Sequence, residues 1–230
     1  MLVTEVNQPD ILANTAMRQS MLTTDAELIA ANAQLEGASP QDVIAWALAL
    51  DMPPLVTTTF GDHSAVLLHL VTQVDAQVPV LWVDTGYNTS ATYRFADRLI
   101  DQLKLNIKIY SPRGSSARRN VQMGGIPDVT DPLHSEFTRQ VKLEPFKRAL
   151  SEIQPEVWFT GVRSEQTEFR RSLPIVSRTK ENYLKVAPLL HWSERQMDEY
   201  LELHGLPNEA DYFDPTKAQE SRECGLHTTL

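Results

Sequence analysis

Cysteine is nearly absent: Cys224 is the only one among 230 residues. No disulfide can form within the chain, so a reducing cytoplasm is the expected compartment. Long apolar runs are missing too. Apolar residues make up 42% of the chain, yet no run approaches the roughly 20 residues that span a bilayer. Residues 1–10 lack the basic flank and apolar centre of a secretory signal, so none is expected. Basic residues are outnumbered 21 to 30, a net charge of −9, which argues against general nucleic-acid binding. Glycine is sparse as well. Gly61 stands alone, so the chain has neither a Walker phosphate loop nor a Rossmann glycine fingerprint there. The other histidines are scattered, and Cys224 with His227 has no second half-site, so no metal is expected. There are no internal repeats or low-complexity segments.

What remains is enough for one ordinary domain with a sizeable core. Thr24-Asp25 can cap a helix ending at Gly37, and Pro40 opens a second helix over Gln41–Leu50. After Pro53-Pro54 the pattern changes. Strands are predicted at Leu55–Phe60, Val78–Val83, Asn106–Tyr110, Val157–Thr160 and Leu184–Val186. Helices are predicted at His63–Val74, Thr89–Leu103, Val141–Ile153 and Ser193–His204, with Ser111–Ser135 as a long loop. Such alternation predicts an α/β class protein with a doubly wound, mostly parallel five-stranded sheet. The expected division is a helical N-terminal segment, 1–50, a nucleotide-binding α/β domain, 51–205, and a mobile C-terminal tail, 206–230.

Ligands of such sheets bind beyond the carboxyl ends of the strands, and three loops fall there. Thr57-Thr58-Thr59-Phe60-Gly61 runs directly into a helix, so hydroxyls, a glycine and free N–H groups can cradle an anion. Asp84-Thr85-Gly86 offers a carboxylate and a hydroxyl suited to a nucleoside, although a tight turn explains it equally well. Gly161 to Gln166 carries Arg163 and is followed by Arg170 and Arg171; guanidinium groups bind phosphate or sulfate through paired hydrogen bonds. Lys104 to Arg119 forms a second basic stretch without acidic residues. Two basic loops in an acidic protein suggest a small polyanionic ligand. Near the end, Arg222 and His227 flank Cys224 and favour its thiolate, which Glu223 opposes. A reactive thiol on a movable arm is the resulting expectation.

From Gln41 to His227 the chain resembles the phosphoadenylyl-sulfate (PAPS) reductase family of assimilatory sulfate reduction. The resemblance rests on Thr-Thr-Thr-Phe-Gly (57–61), Val-Asp-Thr-Gly-Tyr (83–87), Thr-Tyr-Arg-Phe (92–95) and Lys-Leu-Glu-Pro (142–145). It continues through Trp-Phe-Thr-Gly-Val-Arg (158–163) with Glu165-Gln166, then Leu173-Pro174, to the terminal Glu-Cys-Gly-Leu-His (223–227). It implies a PP-loop fold of the adenine nucleotide alpha-hydrolase-like type, a homodimer, and a role in cysteine biosynthesis. It also implies that Cys224 attacks the sulfur of 3′-phosphoadenylyl sulfate and that thioredoxin or glutaredoxin resolves the adduct. With no second cysteine, the reductant must come from outside. On matching positions, Thr57, Thr58, Thr59, Phe60 and Gly61 would hold the phosphosulfate, and Asp84, Thr85 and Gly86 would lie along the nucleoside. Arg163, Arg170 and Arg171, with Lys142, would neutralise its charge. Cys224, His227 and Arg222 would act in catalysis.

The related adenylyl-sulfate reductases carry a four-iron cluster on a Cys-Cys pair that would fall near Phe137-Thr138. One cysteine cannot hold it, so no bound cofactor is expected. The segment Pro207–Lys217 is shorter than the family's usual one. Alternative readings are a cluster-free adenylyl-sulfate reductase, an ATP-using adenylylating enzyme, and a non-catalytic nucleotide sensor.

Overall fold

The computed structural model describes residues 24–216. Six strands form one sheet: β1 (Pro54–Thr58), β2 (Pro79–Val83), β3 (Asn106–Tyr110), β4 (Val157–Phe159), β5 (Val176–Arg178) and β6 (Leu184–Val186). Their order across the sheet is β3-β2-β1-β4-β6-β5. All neighbours are parallel except β5 and β6, where Val176 faces Val186. The sequence reading expected five strands. The sixth is three residues long and mostly polar, so it carries no apolar alternation to announce it.

Strand residues alternate between two buried faces, as a two-residue period requires. Leu55, Leu81 and Trp158 pack on one side against Phe146, Ala149 and Leu150. Val56, Val80, Trp82 and Phe159 face the other, larger core. The helices α1 (Asp25–Leu35), α2 (Pro40–Leu48), α3 (Ser64–Val74) and α4 (Ser90–Leu103) contribute to that core. So does α9 (Glu194–His204), through Met197, Tyr200 and Leu201. Among the described residues no helix is long and apolar enough to cross a membrane.

Two helical segments depart from expectation. Ser116–Met123, within the stretch read as loop, is helix α5, started by the Ser115 hydroxyl and stopped by Gly124 at φ 76°. Only Arg119 is buried in it, so no apolar stripe marks it. The helix read from Val141 begins earlier, as α6 (His134–Thr138), and runs through a π-helical turn (Arg139–Leu143) into α7 (Glu144–Ile153). Pro145 stands just inside α7. A proline lacks the N–H of the α ladder and crowds the carbonyl four residues back, and a π turn accommodates both defects. A short α8 (Glu168–Arg171) completes the set.

Helix α1 closes the outer edge of the sheet. The Asn32 amide donates to the Val176 carbonyl (2.8 Å) and accepts from its N–H (2.9 Å), as a neighbouring strand would.

Candidate active site

The strand order reverses between β1 and β4, and a cleft of about 260 Å³ opens there, at the carboxyl ends of these strands. Its floor is the loop after β1. The Thr57 hydroxyl accepts from the Trp158 indole (2.9 Å), and the Thr58 hydroxyl accepts from the Phe60 N–H (3.1 Å). Phe60 sits at φ 51°. Its side chain is fully buried, edge-on to Trp82 at 5.0 Å and Phe95 at 6.3 Å. The ring therefore contributes no side-chain contact to a ligand. It anchors the turn from below, so that what Phe60 offers the cradle is its backbone. Gly61 is glycine for space: a Cβ there would lie 3.1 Å from the Tyr212 ring.

Helix α3 starts at His63, which caps it in a left-handed conformation with no side-chain bond to the first turn. Thr24, Ser39, Thr89, Ser115, Thr167 and Ser193 each cap their helices with a hydroxyl. No side chain caps the first turn of α3 where the cleft opens; its Ser64 and Val66 N–H groups turn to the carbonyls of Gly61 (3.1 Å) and His63 (3.0 Å). The His63 ring lies between two carboxylates, Nδ1 at 3.0 Å from Asp62 and Nε2 at 2.8 Å from Asp198 on α9. Two hydroxyls in the cleft wall, Ser64 Oγ and Thr160 Oγ1, are buried without a hydrogen-bond partner among the described residues.

The second loop is internally organised. Asp84 accepts from the Gly86 N–H (2.9 Å), the Asn88 amide (3.0 Å) and the Tyr93 hydroxyl (2.7 Å). Burial pushes the Tyr93 phenol up to about 12, and its bond to Asp84 adds to the shift. Thr85 and Asn88 line the cleft, whereas Asp84 and Gly86 do not.

The third loop supplies positive charge. Arg163 is 7% exposed and donates to Glu165 at 2.6 Å. That carboxylate also accepts from the Glu194 N–H at the start of α9. Arg170 lines the cleft and donates to Gln166, while Arg171 is exposed and outside it. The π turn delivers Lys142 to the wall, with its side chain 7% exposed and its ammonium 2.5 Å from Asp214. Burial opposes ionisation of Asp214. The Lys142 charge and hydrogen bonds from Lys142 and Thr216 outweigh it and hold the carboxyl below its usual range.

Residues 206–216 form a strap over this cleft. Asn208 accepts from the His63 N–H (2.8 Å) and donates to Asp62 (2.6 Å). The Asp211 carbonyl accepts from the hydroxyls of Thr89 (3.0 Å) and Thr92 (3.1 Å). Tyr212, Phe213, Asp214 and Pro215 line the cleft. Thr160 lies within the 158–163 motif and the strap within the shortened segment 207–217, but neither they nor His63 carry a spacing that marks them as site residues. Cys224, Arg222 and His227 lie outside the described residues.

The family model described as "Phosphoadenosine phosphosulfate reductase domain" matches residues 53–213. The chain is 36% identical to a phosphoadenosine 5′-phosphosulfate reductase of Xanthomonas oryzae pv. oryzae, covering 94% of this chain and all of that one. It is 40% identical to one of Synechocystis sp., covering 90% and 93%. Among solved structures it is similar to the phosphate complex of a PAPS reductase from Candida auris. There the TM-score is 0.71 at 24% identity, over 82% of this chain and 91% of that one. It is also similar in fold to Candida glabrata FMN adenylyltransferase, with a TM-score of 0.51 at 14% identity, over 81% and 61%. The order of loops around the cleft and the match over most of the chain's length agree: this chain belongs to the phosphoadenosine phosphosulfate reductase family, a family of oxidoreductases.

Proposed function

We propose that the protein reduces 3′-phosphoadenylyl sulfate to sulfite, releasing adenosine 3′,5′-bisphosphate, in assimilatory sulfate reduction. The observation that carries this reading is the meeting of Lys142, Arg163 and Arg170 with the start of α3 in one cleft at the β1–β4 switch point. Amide N–H groups and guanidinium and ammonium charges suit a polyanion of this kind. The sole cysteine lies ten residues beyond Asp214. At a maximum of about 3.5 Å per residue, that length of chain is ample to reach into the cleft.

The chemistry follows from a single thiol. The Cys224 thiolate attacks the sulfonyl sulfur, an S–S bond forms, and the bond from sulfur to the phosphate oxygen breaks. The bisphosphate departs with that electron pair, its charge met by the basic wall. The product is a Cys224 S-sulfonate. A thiolate of thioredoxin or glutaredoxin then attacks the Cys224 sulfur and expels sulfite, and the reductant's second thiol frees Cys224 as a disulfide forms on the reductant. Two electrons pass from that dithiol to the sulfur. The reading carries with it a cytoplasmic homodimer without a bound iron–sulfur cluster.

Intact mass tests it. The reduced protein mixed with 3′-phosphoadenylyl sulfate should gain one sulfonate, Cys224→Ser should gain none, and thioredoxin should remove it with release of sulfite. An adduct formed only from adenylyl sulfate would keep the mechanism and change the substrate. No adduct from either nucleotide would sink the mechanism.

A further inference from the structure

Asp214 is out of place on simple electrostatic grounds. It is a carboxylate in the wall of a cleft that also holds Lys142, Arg163 and Arg170, and unlike Asp62, which also lines the cleft, its side chain is only 5% exposed. The pair it forms with Lys142 joins residues 72 apart in sequence, one on a π turn and one on the strap. A buried ion pair contributes little net stability, but removing one partner leaves a desolvated charge with nothing to meet it. The pair therefore separates readily only when another anion takes the carboxylate's place.

The donors around Asp214 are those that would meet a phosphate. The Lys142 ammonium reaches Oδ2 at 2.5 Å, and Thr216 donates its N–H (3.0 Å) and hydroxyl (2.7 Å) to Oδ1. The Thr216 hydroxyl also lies 3.4 Å from the Lys142 ammonium. The π turn matters here too. It interrupts the helix at the one place where a lysine has to face the cleft, and such turns gather at functional sites.

We propose that Lys142 marks an anion subsite of the cleft, that Asp214 is its resident occupant, and that a phosphate group of the nucleotide displaces it. This rests on the reductase reading for the identity of the nucleotide. The consequence is a coupling. Phosphate entering at Lys142 unfastens the far end of the strap, while Asn208 holds the near end beside Asp62 and His63. Asp214 acts as a built-in competitor that lowers affinity and ties occupancy of the subsite to the position of the chain leading towards Cys224.

The test titrates adenosine 3′,5′-bisphosphate and, separately, inorganic phosphate into the full-length reduced protein by calorimetry, with melting temperatures alongside. Asp214→Asn should melt lower than the wild type without ligand, bind the bisphosphate about fivefold more tightly or better, and regain more melting temperature on saturation. Asp214→Glu should stay near the wild type. Thr216→Val, which loosens Asp214 without removing it, should move in the same direction by a smaller amount. A folded Asp214→Asn protein with unchanged or weaker affinity overturns the proposal; if that variant does not fold, unchanged or weaker affinity in Thr216→Val does so instead. Tighter phosphate binding by Asp214→Asn, with no bisphosphate binding by either protein, keeps the subsite and sinks the nucleotide reading.

Discussion

At the scale of single residues, the cleft wall holds a buried hydroxyl with no hydrogen-bond partner among the described residues. Thr160 is 1% exposed, and its Oγ1 goes unmet. Such a group costs about 1–3 kcal/mol in the folded state unless a ligand or water meets it. Thr160→Val keeps the shape and removes the hydroxyl. The variant should therefore melt no lower than the wild type, while its bisphosphate dissociation constant should rise about tenfold, the worth of one hydrogen bond to a charged group. Thr160→Ser should bind like the wild type. A lower melting temperature with unchanged binding would show instead that the hydroxyl has a structural partner. Phe60 makes a related point about legibility. The run 57–61 was readable as a cradle from its composition, but burial belongs to the tertiary structure. Nothing in the sequence distinguishes a phenylalanine that faces a ligand from one that locks the turn beneath it.

Elements were legible where they carry apolar periodicity. The strands β1, β2 and β4 read as short apolar runs, β3 and β6 as alternations, and α4 and α7 carry a 3.6-residue apolar stripe. Helix α5 and strand β5 have no such pattern, and only Ser115 and Gly124 marked the ends of the former. The packing of α9 on α3 is a property of the pair. The His69 Nδ1 lies 2.7 Å from the Tyr200 hydroxyl, and the rings of His69 and His204 are 4.8 Å apart. Burial holds the His69 imidazole below its ordinary value of 6.5, and the nearby His204 lowers it further. Below pH 6.5 the unfolded chain then binds a proton that the folded one resists. Stability contributed here is fully present above that pH and is lost as pH falls through the window beneath it. Thermal melts from about pH 7 down to about pH 5 should show a steeper loss for the wild type than for His204→Gln. Equal slopes would remove the histidine pair from the account. Because Asp198 on α9 meets His63 in the cleft wall, loosening this contact should also raise the KM as pH falls.

For the whole molecule, the relevant contrast is between a net charge of −9 and a basic cleft. An acidic body repels a polyanion at long range, and the cationic cleft attracts it only within the screening length, about 10 Å at 0.1 M salt. The attraction at contact, between partly buried groups, is screened less than the repulsion across solvent. Raising the salt from low concentration to about 0.1 M should therefore speed bisphosphate association or leave it unchanged, and only salt near 1 M should weaken binding strongly. A steep loss of association rate at the first addition of salt would mean that the field of the cleft dominates that of the body. The fold class and the three loops are legible in the sequence, because both follow from alternation and local composition. The strap's contacts are not, since they join residues far apart in sequence, 145 positions from Asn208 to His63 and 72 from Asp214 to Lys142.

The order of synthesis gives the strap a further meaning. A chain leaves the ribosome from its N-terminus, and folding units form as they emerge. All six strands and their helices lie before residue 205. The sheet can close with its cleft still roofless and Lys142 waiting for a carboxylate 72 residues behind it. Until that carboxylate arrives, the newborn domain is at its most receptive to anions. A nucleotide already bound at that moment would act as a template, filling the subsite before Asp214 could reach it.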